Sequence, residues 1–137
     1  YSTSTVCLFK ITNLSEINEK VDRKVGNYII TKISELFKSN LAQEYFFVRY
    51  MVPKFAIVFS GTDKEGDVNF MKSMKLQIEN IKIDVQNFGK SNVKIVSPKI
   101  NVAITTYYKG TALEGVTKKL EEYLDNADSN ENNINCL

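Results

Sequence analysis

The stretch YFFVRYMVPKFAIVFS, Tyr45 to Ser60, decides how the rest of the chain is read. Two runs of aromatic and β-branched residues, YFFVRY (45–50) and KFAIVFS (54–60), are parted only by Met51, Val52 and Pro53. Such side chains pack well on a pleated surface, and Pro fixes φ and lacks an N–H, so the pattern predicts a β-hairpin turning near Pro53. This hairpin is expected at the centre of a sheet, with the flanking segments arranged around it.

Upstream, residues 3–11 (TSTVCLFKI) form a compact apolar and β-branched run, as in a strand buried at a sheet centre. The period then becomes helical: Val25, Ile29, Ile33, Leu36 and Phe37 share a stripe, with Lys24, Lys32 and Lys38 directed elsewhere. A helix is predicted over 24–39, preceded by a helical turn starting at Ser15, whose hydroxyl is a candidate cap. Ile17, Val21 and Val25 line the same inner face. Gly26 inside this pattern costs about 1 kcal/mol relative to Ala, so close packing or a ligand near the backbone is the expected reason for it.

Downstream, SGTDKEG supplies turn and cap residues, and Val68, Met71, Met74 and Ile78 recur at helical spacing, the methionines reading as core filling. Residues 81–88 alternate apolar with polar, and NVKIVSP (92–98) and KINVAITTYY (99–108) read as two further strands divided at Pro98. A last amphipathic helix directs Leu113, Val116, Leu120, Tyr123 and Leu124 toward the sheet. Residues 129–137 are polar and asparagine-rich, and are expected to be a disordered tail. The order strand, helix, hairpin, helix, strands, helix predicts an α+β domain over residues 1–128 on the ferredoxin-like βαββαβ plan, an antiparallel-type sheet flanked by helices.

Composition excludes several functions. A chain of 137 residues, 43% of them hydrophobic, suffices for one core and not for two ordinary domains. The 18 basic and 16 acidic residues nearly cancel, so no broad field attracts nucleic acid or an anionic membrane. Histidine is absent, which removes Ser-His, Cys-His and His-metal chemistry. Cys7 and Cys136 lack metal or redox spacing and read as unpaired thiols in a reducing compartment. No run reaches the ~20 apolar residues of a membrane span, and no signal peptide opens the sequence. KFAIVF (54–59) faintly echoes an RNA-recognition motif, but the motif's glycine is missing, and Phe55 and Phe59 are expected in the core instead. Because it begins at Tyr1 and not at Met, the stretch is expected to belong to a longer bacterial protein, the domain itself cytoplasmic and any membrane anchor elsewhere in the parent.

With this order of elements the chain resembles the GGDEF domain, the catalytic module of diguanylate cyclases, over nearly its full length. The family's D-x-D-x-F-K-x-I-N-D-x-x-G-H-x-x-G-D pattern corresponds to Lys10–Asn27, KITNLSEINEKVDRKVGN, in which Ile17, Asn18 and Gly26 match. The leading aspartates align with Lys10 and Thr12, and the last with Asn27. Arg49-Tyr50 precedes Met51, Val52, Pro53, Lys54 and Phe55 where Gly-Gly-Asp-Glu-Phe would stand, and only Phe55 and the apolar run after it match. KINVAITTY is similar to the closing strand and LEEYLDNAD to the last helix, with Asp128 where a phosphate-binding lysine often lies. The inhibitory Arg-x-x-Asp corresponds to Ala42, Gln43, Glu44 and Tyr45, without guanidinium or aspartate.

These departures set the functional expectation. The resemblance implies Mg²⁺ held by carboxylates, and Lys10, Pro53 and Lys54 replace them, placing ammonium groups where a dication belongs. Met51 and Val52 remove the glycines' freedom. The domain is therefore expected to lack diguanylate cyclase activity, to need no metal or cofactor, and to serve regulation, dimerisation or assembly in cyclic di-GMP signalling, through neighbouring domains, a protein partner or a second copy. An alternative is a non-catalytic guanine nucleotide sensor controlling a linked phosphodiesterase or cyclase, with Asn18 and Asn27 at the base and Lys10 and Lys54 facing phosphates. Against it stands the plain reading that Asn18 serves a helix start and both lysines are exposed charges. Glu19, Asp22, Glu114, Glu121, Glu122 and Asp125 read as solvated helix faces.

Overall fold

β1, Thr3–Ile11, is paired on both sides: antiparallel to β3, Lys54–Phe59, and antiparallel to β6, Ile100–Tyr108. Its unbroken apolar run follows from burial on both faces, since Val6, Cys7, Leu8 and Phe9 are all fully buried. The computed structural model describes residues 3–40, 45–51, 53–60, 63–88, 92–128 and 130–137. Within them β2, Tyr45–Met51, pairs antiparallel with β3, and β7, Ile134–Cys136, lies parallel to β6, which gives a mixed sheet of order β2-β3-β1-β6-β7.

The hairpin expected from residues 45–60 is present, but its place is corrected. β2 is an edge strand of the described sheet, β3 is interior, and the centre belongs to β1. The β2–β3 ladder shifts register between Arg49 and Met51 as it nears the turn. Pro53 cannot donate, but its carbonyl accepts from the Ile11 N–H at 2.9 Å, which ties the turn to the end of β1.

Alternation along the strands sends side chains to two separate cores. On one face α1, Leu14–Lys20, α2, Arg23–Asn40, and α3, Lys64–Glu79, bury Cys7, Phe9 and Ile11. Phe9 stacks on Phe37 and on Phe55, with ring centroids 5.3 and 5.1 Å apart, and Phe70 meets Phe37 and Phe59 edge-on. Phe55 and Phe59 are thus core residues, with no face left for a nucleic-acid base. Met71 and Met74 fill the same core. On the other face α4, Leu113–Asn126, sets Leu120 and Leu124 against Val6, Leu8 and Ala103. Its stripe starts one turn late, because Leu113 is exposed.

α3 begins as its sequence suggests, the Asp63 carboxylate accepting from the Gly66 N–H at 2.6 Å. At α1 the cap position belongs to Asn13 and not to Ser15. The Asn13 amide is used elsewhere, donating to the Ser97 carbonyl at 2.8 Å and accepting from the Lys99 N–H at 2.9 Å, so it joins the end of β1 to the approach of β6. The longer strands expected over 81–88 and 92–98 shrink to a two-residue ribbon outside the main sheet, β4, Ile83–Asp84, with β5, Ile95–Val96.

The C-terminal segment is not a frayed tail. Residues 134–136 form β7, anchored by Asn101, which is buried in β6 at 1% exposure. The Asn101 Oδ1 accepts from the Asn133 N–H at 3.0 Å and the Asn135 Nδ2 at 2.9 Å, and Asn135 Nδ2 also donates to the Val102 carbonyl. The Tyr123 hydroxyl donates to the Asn135 Oδ1 at 2.9 Å. Asparagine amides, each able to donate and accept, thus dock a segment with little apolar surface of its own. Asn101→Ala removes one acceptor from two donors. Urea unfolding is expected to show a loss of about 1–3 kcal/mol, with amide exchange accelerating first in β7.

Candidate functional site

Lys10 and Lys54 are direct cross-strand partners at one end of the β1–β3 ladder. Like Val6 and Leu8 before it, Lys10 projects toward α4, and the C-terminal turns of that helix meet both lysines. Lys54 Nζ lies 2.9 Å from Asp125 Oδ1 and 3.6 Å from Glu121 Oε2, while Lys10 Nζ lies 3.9 Å from the same Asp125 oxygen. The Lys54 side chain is only 13% exposed, and an ammonium so placed is costly unless paired. Two ammonium groups around one oxygen repel by on the order of 2 kcal/mol at an effective dielectric constant of 20, less where solvent reaches Lys10 and Asp125. Glu121 and Asp125, one helical turn apart, offset that repulsion.

Glu121 and Asp125 are therefore not the plain solvated face expected of them, and Lys54 is not an ordinary exposed charge. Their i, i+4 spacing beside the Leu120–Leu124 stripe was the available signal, since it sets both carboxylates at the margin of the buried face of α4. The Mg²⁺ that the resemblance implies does not fit these residues as arranged. Ammonium groups stand at two of its expected ligand positions, and both nearby carboxylates are paired to Lys54. Among the described residues no group of three or more His, Cys, Asp and Glu is placed to hold a metal ion.

Asn18 lies on the other side of the sheet, at the corner of α1 and α2. A Cβ on Gly26 would stand 1.9 Å from Asn18 Oδ1 and 3.2 Å from Leu14 Cδ1, so Gly26 is present because the Asn18 carboxamide packs onto the α2 backbone. That Oδ1 is buried and has no hydrogen-bond partner among the described residues. Asn27, the next residue on α2 after Gly26, is exposed. The sequence-derived candidates thus fall into two groups, Lys10 with Lys54 under α4, and Asn18 with Asn27 at the α1–α2 corner.

The remaining positions have structural roles. Phe55 is core, Pro53 ties the turn to β1, and Met51 ends β2; Val52, Ala42, Gln43 and Glu44 lie outside the described residues. Thr12 hydrogen-bonds Asn132, so the segment before β7 crosses the β1–α1 turn. Together with Asn13, Ser15, Glu16, Lys99 and Asn130 these residues line an open cleft. Asp128 Oδ1 accepts from the Asn130 N–H at 2.8 Å, a local turn. Cys7 is buried, and burial, aided by the charge of Asp67, pushes its thiol far above the usual range, which keeps it unreactive. Cys136 is a free, exposed thiol.

The family described as "Diguanylate cyclase, GGDEF domain" matches residues 2–134. The chain belongs to the GGDEF family. No curated protein matches it significantly by sequence. Solved structures share its fold at low identity. The GGDEF domain of DgcB from Caulobacter crescentus, in complex with c-di-GMP, superposes with a TM-score of 0.83 at 12% identity, covering 98% of this chain and 77% of that one. The active GGEEF domain of a diguanylate cyclase from Vibrio cholerae gives 0.73 at 18% identity, covering 98% and 81%. Diguanylate cyclase SiaD from Pseudomonas aeruginosa, in complex with its activator SiaC, gives 0.81 at 12% identity and covers 99% of this chain, which spans 50% of SiaD.

Membership corrects the expectation that this GGDEF domain is not an enzyme: the family matched along its length is one of diguanylate cyclases. The lysines describe the charge of the site and are no ground for denying the family's activity. No described helix is long and apolar enough to cross a membrane.

The Asn18–Gly26 contact is testable by a double-mutant cycle. Gly26→Ala gains up to about 1 kcal/mol of helix propensity but clashes with the carboxamide. It is expected to destabilise the parent chain, and to cost at least about 1 kcal/mol less in an Asn18→Ala background, as measured by denaturant unfolding.

Proposed function

We propose that this GGDEF domain is a regulatory module of a larger c-di-GMP signalling protein and that it binds guanine nucleotide through the α1–α2 corner. The observation that carries this reading is the Asn18 carboxamide oxygen, buried against Gly26 without a hydrogen-bond partner among the described residues. A buried acceptor left unmade costs about 1–3 kcal/mol, and such a cost is commonly kept where function needs the group. The residue is half-buried, so rotating the carboxamide turns its oxygen outward, where a ring N–H of guanine can donate to it. Asn27, exposed one residue past Gly26, supplies a second amide at the next position of α2, and the resemblance assigns both positions to guanine.

Regulation through protein contact has separate support. The neighbour SiaD is held by an activator, and another neighbour, from Caulobacter crescentus, comprises a coiled coil and a GGDEF domain. Both place a domain of this fold beside a further protein element, and the same kind of contact is proposed here.

Isothermal titration with GTP, GDP and c-di-GMP tests the nucleotide reading. At least one is expected to bind, and Asn18→Ala to weaken it about tenfold, the value of one hydrogen bond. The same substitution removes an orphaned acceptor, so thermal stability is expected to stay level or rise. Three flat traces with the parent chain overturn the reading.

A further inference from the structure

We infer that the groove between α1 and the outer edge of β5 takes an extended peptide of a partner protein by strand addition, a peptide apolar at alternate positions and carrying acidic residues. The pairing of the small ribbon shows which main-chain groups are available. The Val85 N–H donates to the Lys94 carbonyl at 2.9 Å and Ile83 stands opposite Val96, so Lys94 and Val96 turn their polar groups toward β4. Ile95, between them, turns its N–H and carbonyl the other way, and neither has a hydrogen-bond partner among the described residues. Ser97 turns the same way and shows where that direction leads: its carbonyl accepts from Asn13 Nδ2, at the start of α1, at 2.8 Å. Asn13 also accepts from the Lys99 N–H, so its side chain ends the open edge and fixes the distance between that edge and α1.

The surrounding side chains set the chemistry of the occupant. Ile17 of α1, Val21 just past it and Val96 of β5 give the groove an apolar floor, and Ile95, 58% exposed, and Val93, 41% exposed, stand at its lip. Exposed apolar side chains beside an open strand edge are what a soluble fold avoids unless something covers them. The groove measures about 210 Å³, below the roughly 300–1,000 Å³ of pockets for small organic ligands, so it admits a few side chains and not a cofactor. Side chains of a strand project alternately, so every second residue of the occupant reaches the floor. Lys20, Lys94 and Lys99 are exposed around the groove, whereas Glu16, the one carboxylate lining it, is paired with Lys20 at 3.3 Å. Asp84, across the ribbon, accepts from the Gln86 N–H. This excess of ammonium groups favours carboxylates beside the apolar residues. The open edge is short, so the main chain fixes the register while the apolar floor supplies most of the affinity. The groove gives a place to the protein contact proposed above and rests on that reading, but it uses none of the residues proposed for guanine.

The test is an NMR titration of the isotopically labelled chain with a short synthetic peptide of alternating valine and threonine with a glutamate at each end. Amide shifts are expected at residues 93–97 and along α1, with exchange at Ile95 slowed. Ile95→Pro deletes the open N–H and spares the ladder to β4, and it is expected to weaken binding about tenfold. Of two peptides N-methylated at alternate residues in opposite phase, one is expected to lose about tenfold and the other to bind nearly as the unmodified peptide. The methylated pair carries the test alone should a thermal melt show that Ile95→Pro unfolds the chain. A peptide with lysine at both ends is expected to bind several-fold more weakly, and Lys20→Glu to narrow the difference. Binding indifferent to Ile95→Pro and to both methylated peptides overturns the inference. So do shifts at residues 93–97 that depend on protein concentration without peptide, which assign the groove to a second copy. Shifts confined to β2 or β7 overturn this surface alone, and no shift anywhere at millimolar peptide counts against the protein-contact reading as well. Titration of the Ile95→Pro chain with GTP is expected to match the parent, so the nucleotide reading and this one fail separately.

Discussion

The stack of Phe37, Phe9 and Phe55 is the constraint on which the rest of the structure depends. Phe9 sits on the central strand, and its two neighbours come from α2 and β3, so one aromatic column joins a helix, the sheet centre and the hairpin. The register that sets Phe9 opposite Phe55 also sets Lys10 opposite Lys54 one position later. Successive residues of a strand face opposite sides, so packing on the α2 face dictates which charges meet on the α4 face. A slip of one residue would carry the aromatics to the wrong side and dissolve both arrangements together.

The charge pattern under α4 then follows from solvation. An enclosed ammonium such as that of Lys54 is tolerable only with an anion at hand, and a helix docked through Leu120 and Leu124 is the element within reach. The carboxylates of α4 satisfy the lysines of the sheet, and the lysines in turn permit acidic residues near the unfavourable end of a helix. In a site with carboxylates on the sheet the same helix would need the opposite sign.

Much of the fold was legible. The run at residues 3–11 lacks alternation because both faces of β1 are covered, and α3 announced itself through Asp63 and its i, i+3 apolar spacing. The errors have separate physical causes. β2 is as strongly β-forming as β3, and propensity does not say which of two hairpin strands pairs onward. Asparagine richness in residues 130–135 was read as disorder, whereas the amides of Asn101 and Asn135 hold that segment by hydrogen bonds that hydropathy does not register. At the candidate site Asn18, Gly26, Lys10 and Lys54 were visible as positions, but the partners of the lysines lie more than sixty residues away in sequence, on a helix whose acidic residues look unremarkable alone. The family's name for the turn at residues 51–55 was legible only through its surroundings, since Phe55 alone of the signature keeps its identity.

The parallel pairing of β7 with β6 has a consequence for how the chain is made. Two parallel neighbours cannot be joined by a tight turn, and here α4 forms the crossover, so β7 is the last strand of this described sheet to be made. Until it is, the outer edge of β6 is bare along Val102 to Ile104, and a bare edge is open to wrong partners. Asn101 on β6, whose Oδ1 accepts from Asn133 and Asn135, marks the register for the incoming strand, so closing this edge of the sheet depends on one amide and the few residues after α4.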